Sequence, residues 1–215
     1  HPDCYTFSTS NGRGKSFIGA SPERLISIDD GKLITDALAG SAPRGKTVAE
    51  DADLANRLLC SEKERYEHRI VVDFMMQHLQ HLGIKPFCAD IPGLLQLSNI
   101  QHLHTPIQAS VPASVHPLEI VTALHPTPAV AGAPREVACA QIKRYETFER
   151  SLYAAPLGWI DHQGNSEFIV GIRSALIAGN HARLYAGAGI VDGSDPDREL
   201  AEIRLKLQAL LQALV

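Results

Sequence analysis

The chain of 215 residues contains no long apolar run. No stretch approaches the roughly 18 residues that a membrane-spanning helix needs, which argues against insertion in a membrane. A strongly basic segment is missing as well. Lys and Arg total 20 against 24 Asp and Glu, for a formal charge of −4. That balance disfavours a nucleic-acid partner held by phosphate attraction. Cysteine is sparse: Cys4, Cys60, Cys88 and Cys139 are scattered and make no C-x-x-C pair. They read as free thiols in a reducing cytoplasm rather than as a disulfide framework. The opening, His1-Pro2-Asp3-Cys4-Tyr5, has no Met and no charged-then-apolar leader, and reads like the middle of a longer polypeptide. There is no repeat of solenoid period. Regular alternation of strand and helix is absent too, which disfavours a doubly wound parallel sheet.

What remains is a globular composition, 45% apolar and 20% charged. The length suits one large domain or a tightly joined pair. Short β-rich runs at 17–20, 25–28 and 32–35 predict strands, with Asp29-Asp30-Gly31 as the turn between the last two. Gly40-Ser41-Ala42-Pro43-Arg44-Gly45 reads as a loop. Residues 49–82 predict one long helix, stopped by Gly83. The prolines of 84–116 suggest loops with short elements. Short helices are expected at 117–124 and 134–145, each opening with Pro, and an irregular segment between them. Strands are expected at 157–160, 167–177 and 182–188, then an amphipathic helix over about 196–214 through Leu200, Ile203, Leu207, Leu210, Leu211 and Leu214. Hairpin-joined strands interrupted by helices predict an α+β fold with antiparallel sheets.

Individual motifs carry little chemistry. Gly14-Lys15-Ser16 lacks the earlier glycine of a phosphate loop (Thr9 stands there) and precedes a strand, so it reads as a hairpin turn. Gly187-Ala188-Gly189 lies between strand and helix, but Gly193 comes one residue late for a dinucleotide fingerprint. It is either a tight turn or, with Arg173 and Lys206, a site for a carboxylate. His102 and His104 have no further ligands at zinc spacing; one of them reads as a hydrogen-bond donor in a pocket. A doubled pattern says more. Glu64 and Glu67 lie three apart on the long helix, and Glu199 and Glu202 three apart on the last, with Lys206 four further on. Each pair shares a helix face. Singly each is a solvated face; together they supply the oxygen donors that suit Mg²⁺.

Six segments resemble the chorismate-utilising enzymes, and among these the isochorismate synthases: Gly19–Leu25, Leu38–Gly45, Ser61–His68, Gln101–Pro106, Leu124–Val130, and Tyr185–Val191 with Ser194-Asp195-Pro196. They occur in the family's order across nearly the whole chain. The resemblance implies an α+β fold of two large antiparallel sheets packed face to face with flanking helices. Residues 1–215 would then be the C-terminal portion of a longer catalytic chain whose N-terminal part is missing. It also implies roles. Glu67 and Glu202 match direct ligands of Mg²⁺, and Glu64 and Glu199 match acidic neighbours reaching it through water. Arg173, Tyr185, Gly187 and Lys206 match the grip on the enolpyruvyl carboxylate. His102 matches a pocket histidine, Gly40 and Ser41 a substrate-contacting loop, and Glu23 the general acid.

The implied reaction converts chorismate to isochorismate, with water attacking ring carbon 2 as the carbon 4 hydroxyl leaves. Ala129 stands where aminating relatives tend to carry Thr, which favours water as nucleophile. The alternatives are a salicylate synthase, an aminating enzyme, or a non-catalytic chorismate-binding fragment. The last arises because the family's base lysine lies before the first strand, and Lys15, Lys32, Lys46, Lys63, Lys85 and Lys143 match other positions. This chain alone is therefore expected to turn over more slowly than one with the upstream segment restored. Isochorismate feeds menaquinone, salicylate and siderophore synthesis, and the sequence selects none of them.

Overall fold

The computed structural model describes residues 4–214; His1 to Asp3, on which the reading of the chain's opening partly rests, and Val215 lie outside them. Two antiparallel sheets carry the architecture, as the α+β expectation required. The smaller contains β1 (Tyr5–Ser10), β2 (Lys15–Ser21), β10 (Ser174–Ala178) and β11 (His181–Tyr185), in the order β1-β2-β10-β11. The larger contains β3 (Arg24–Asp29), β4 (Lys32–Pro43), β5 (Phe87–Cys88), β6 (Gly93–Gln96), β7 (Ile100–Ser110), β8 (Pro156–Ile160) and β9 (Ser166–Val170). Its order is β5-β7-β4-β3-β9-β8, and β6 pairs with β7. One hydrophobic cluster joins Phe17 and Tyr185 of the smaller sheet to Leu25, Ile26, Leu33 and Ala37 of the larger.

The β3–β4 hairpin turns where the sequence placed it. Asp30 and Gly31 have φ of 47° and 70°, the left-handed pair that a two-residue turn between twisted strands needs.

Five expectations need correction, the first being that the segment between 124 and 134 is not irregular throughout but holds a short helix at Pro128–Ala131. The segment 40–45 is not a loop: β4 runs through it to Pro43, and Gly40, at φ 76°, forms a bulge where the register with β7 shifts between Ala39 and Ser41. The proline-rich stretch 84–116 contains β7, the partner of β4 along its whole length. Pro106 sits inside that strand opposite Asp36, and its presence made the strand hard to read. The long helix is two helices, α1 (Val48–Cys60) and α2 (Glu62–His81). Ser61 between them is extended (ψ 117°) and its side chain accepts from the Glu64 N–H, so it caps α2. The run 167–177 is two strands in different sheets, β9 and β10, parted at Gly171-Ile172-Arg173.

The remaining helices are α3 (Pro117–Leu124), α4 (Pro128–Ala131), α5 (Arg135–Tyr145) and α6 (Pro196–Leu214). Val71, Met75 and Leu79, four residues apart on α2, are buried where that helix lies on β4. The final helix departs from its sequence pattern. Of its described residues only Glu199 is buried, while Leu200, Leu211 and Leu214 are exposed. Cys60, Cys88 and Cys139 carry free thiols. No helix among the described residues is long and apolar enough to cross a membrane.

The burial of β7 sets a test. Ile107 is fully buried and Gln108 beside it is exposed. Ile107→Ala should cost about 2–5 kcal/mol in denaturant titration, and Gln108→Ala no more than about 0.5 kcal/mol. Equal midpoint shifts would show that this segment does not line the core.

Candidate active site

Two chain crossings build the site. Between β2 and β3 the chain leaves the smaller sheet for the larger through Pro22-Glu23, and between β9 and β10 it returns through Gly171-Ile172-Arg173. The crossings lie side by side. Ser21 Oγ donates to the Val170 carbonyl at 2.6 Å, the Val170 N–H donates to the Glu23 carbonyl at 3.1 Å, and the Ala20 N–H donates to the Arg173 carbonyl at 3.1 Å. Glu23 and Arg173 therefore enter one cleft from adjacent backbone. Arg173 holds φ at +50°, a conformation costly for a residue with a Cβ and found where a site fixes a side chain.

Glu23, Gly40, Ser41, Glu67, His102, Ala129, Arg173, Gly187 and Lys206 all line this cleft. The structure thus gathers most of the residues singled out from the sequence, drawn from both sheets and from α2, α4 and α6. Tyr185 is placed differently. Its ring stacks on Tyr153 with centroids 5.2 Å apart, and Tyr153 is the ring that faces the cleft. Tyr153 and Arg150 are lining residues that the sequence reading missed, because they lie in a short turn segment without periodicity. Arg150 donates to the Val130 carbonyl at 2.6 Å and pairs with Glu146 through two nitrogens. It thereby fixes α4, which carries Ala129.

The electrostatics are those of a dry, cationic pocket. Burial pushes the Glu23 carboxyl up to about 7; Arg173 and Lys206 pull it down, but less than desolvation raises it. Thr127, also absent from the sequence-derived set, sits beside this carboxyl. Burial lowers the pKa of both Arg173 and Lys206 from their ordinary values. Lys206 donates to the Gly187 carbonyl at 2.9 Å and pairs with Glu202. His102 is held neutral by burial, with Arg173 and Lys206 acting in the same sense. Its tautomer follows from its neighbours. Arg173 donates to Nε2 at 3.1 Å, so Nε2 carries the lone pair and Nδ1 the proton. That proton faces the Ser41 hydroxyl at 2.9 Å and the Gly40 carbonyl at 3.3 Å. His102 thus braces the guanidinium against the β4 bulge. His104 takes no part; it pairs with Asp36 at 2.9 Å, outside the cleft.

The four glutamates converge where α2 meets α6. Lys63 lies 2.8 Å from Glu199 and 3.3 Å from Glu64, and Arg198 lies 3.0 Å from Glu64. Glu64 also accepts the Ser41 N–H at 3.1 Å, which ties the bulge to α2. Gly40 is required there, since a Cβ would meet the Glu64 carbonyl at 3.2 Å and the φ is left-handed. Glu67 reaches toward Gly189, whose missing side chain leaves room for the carboxylate: a Cβ there would collide with Oε1. Burial raises the Glu67 carboxyl to about 7, and the charges of Glu64 and Glu202 add to the rise. The carboxylate oxygens are hard donors of the kind a magnesium-type cation prefers, and Lys63, Arg198 and Lys206 stand among them.

Comparison with known proteins agrees with this geometry. The family described as chorismate binding enzyme matches residues 1–215. A salicylate biosynthesis isochorismate synthase of Pseudomonas aeruginosa is 44% identical over 214 residues, covering 100% of this chain and 45% of that protein. An isochorismate synthase of Bacillus subtilis is 42% identical, covering 98% of this chain and 44% of its own length. The structure of the menaquinone-specific isochorismate synthase of Escherichia coli superposes with a TM-score of 0.89 at 38% identity, over 99% of this chain and 49% of that one. The chain therefore spans about half the length of the curated relatives it matches. With the fold, the cleft and the sequence match in agreement, the chain belongs to the chorismate-binding enzyme family.

Proposed function

We propose that the protein to which this chain belongs converts chorismate to isochorismate with Mg²⁺ bound. The observation that carries the reading is Glu23: a buried carboxyl raised to about 7, in one cleft with Arg173 and Lys206. The reaction exchanges a hydroxyl at carbon 4 for one at carbon 2. Hydroxide leaves poorly, so a proton must reach it as the carbon–oxygen bond breaks. Glu23 retains that proton near neutral pH and releases the hydroxyl as water. Arg173 and Lys206 offset the charge of a dicarboxylate substrate in a site where water cannot. His102 holds the guanidinium in position. Ala129 leaves space beside the ring for water.

Glu67 and Glu202, with Glu64 and Glu199 behind them, would hold Mg²⁺. When bound, the ion supplies positive charge to the ring carboxylate and polarises it as a Lewis acid. The base that takes the proton from water is, by the family resemblance, a lysine upstream of β1. Lys206 is the one lysine lining the cleft among the described residues, and it is engaged by Glu202 and Gly187.

The reading is tested by chromatography of the products that the full-length protein forms from chorismate and magnesium. Isochorismate is expected. Salicylate would assign an eliminating enzyme, an ammonia-dependent product an aminating one, and no product a binding fragment. Glu23→Gln should lower kcat by about 10²- to 10⁴-fold with KM little changed; a rise in KM alone would remove Glu23 from proton transfer. The acid must be protonated to act, and its pKa stands near 7. The rate should therefore fall tenfold per pH unit above about pH 7, and the Gln variant should lose that limb. Glu67→Ala and Glu202→Ala should each raise the magnesium needed for half-maximal rate by about 10- to 100-fold or more. Unchanged magnesium dependence in both would refute the ligand assignment.

A further inference from the structure

One lysine stands at the focus of the acidic cluster. Lys63, on α2, has its Nζ 2.8 Å from Glu199, 3.3 Å from Glu64 and 3.7 Å from Glu67. Its side chain is only 19% exposed. Two of these carboxylates belong to α2 and the third to α6. Among the described residues, no three acidic, His or Cys side chains are arranged to hold a metal ion; the carboxylates are arranged around the ammonium instead.

Three carboxylates this close repel one another in a buried setting unless a cation stands among them; Arg198 meets only Glu64 of the three and Lys206 pairs with Glu202, whereas Lys63 reaches all three. An ammonium meets that need, but only with a single charge and on a flexible four-carbon stem. A divalent ion drawn to the same oxygens would be repelled by an ammonium left within contact distance. We propose that Lys63 is a built-in counter-cation, which holds the acidic cluster together before the divalent ion binds and must swing out as it enters, so that Lys63 sets the affinity of the site. This rests on the reading of Glu67 and Glu202 as magnesium ligands. It concerns a residue that would neither touch substrate nor ligate the ion.

Calorimetric titration of the full-length protein with magnesium chloride alone tests it, together with melting temperatures in EDTA and in saturating magnesium. Lys63→Met should bind magnesium at least about tenfold more tightly, since a competing positive charge is gone. The same variant should melt lower in EDTA and gain more on adding magnesium. Lys63→Arg, which keeps the charge, should not share the tighter binding. Where the Met variant aggregates, Lys63→Gln makes the same comparison. Unchanged or weaker binding in the uncharged variants, beside normal binding by the parent, would overturn the counter-cation role and leave the metal site standing. A parent protein whose magnesium binding is absent, or indifferent to Glu67→Ala, would sink the metal reading and this inference with it.

Discussion

The site depends on a few hydrogen bonds between two backbone crossings. Ser21, Glu23, Val170 and Arg173 tie the strand exit of one sheet to that of the other. No helix and no long loop is needed to bring acid and guanidinium together; the exchange of strands between sheets does it. That arrangement is stiff, because each crossing is flanked by paired strands on both sides. Stiffness suits a site in which a buried carboxyl and a guanidinium must keep a fixed separation.

Charge within the cleft is balanced by burial rather than by pairing alone. Glu23 stays near 7 although two cations lower it. Had desolvation been weaker, Arg173 and Lys206 would have made it an ordinary carboxylate, unable to donate at neutral pH. The same dryness keeps His102 neutral and free to accept from Arg173. One physical condition, exclusion of water, thus tunes an acid, a hydrogen-bond acceptor and two cations at once.

Much of this was legible in the residues, and the failures have physical causes. The Asp30-Gly31 turn was readable because its chemistry is local. The paired glutamates were readable because helical spacing predicts which side chains share a face. The strand through Pro106 was not, because tertiary pairing with β4 outweighs the local cost of a proline. The division at Ser61 was hidden because no Pro or Gly marks it. Tyr153 and Arg150 left no signal, since the turn that delivers them to the cleft is positioned by contacts distant in sequence. Glu23 gave none of its chemistry away alone. An acidic residue after Ser-Pro looks like any turn carboxylate, and its family resemblance, not its spacing, marked it as the acid.

The attachment of α6 has a thermodynamic consequence. Leu200, Leu211 and Leu214 are exposed and its other large apolar residues only half-buried, and much of what ties it down is polar: Glu199 to Lys63, Arg198 to Glu64, and the Leu205 carbonyl to Asn99. Ion pairing within the acidic cluster and the docking of the last helix are consequently coupled. Lys63 and Arg198, in joining those carboxylates, fasten the end of the fold, and a helix that peels away takes half of the cluster with it.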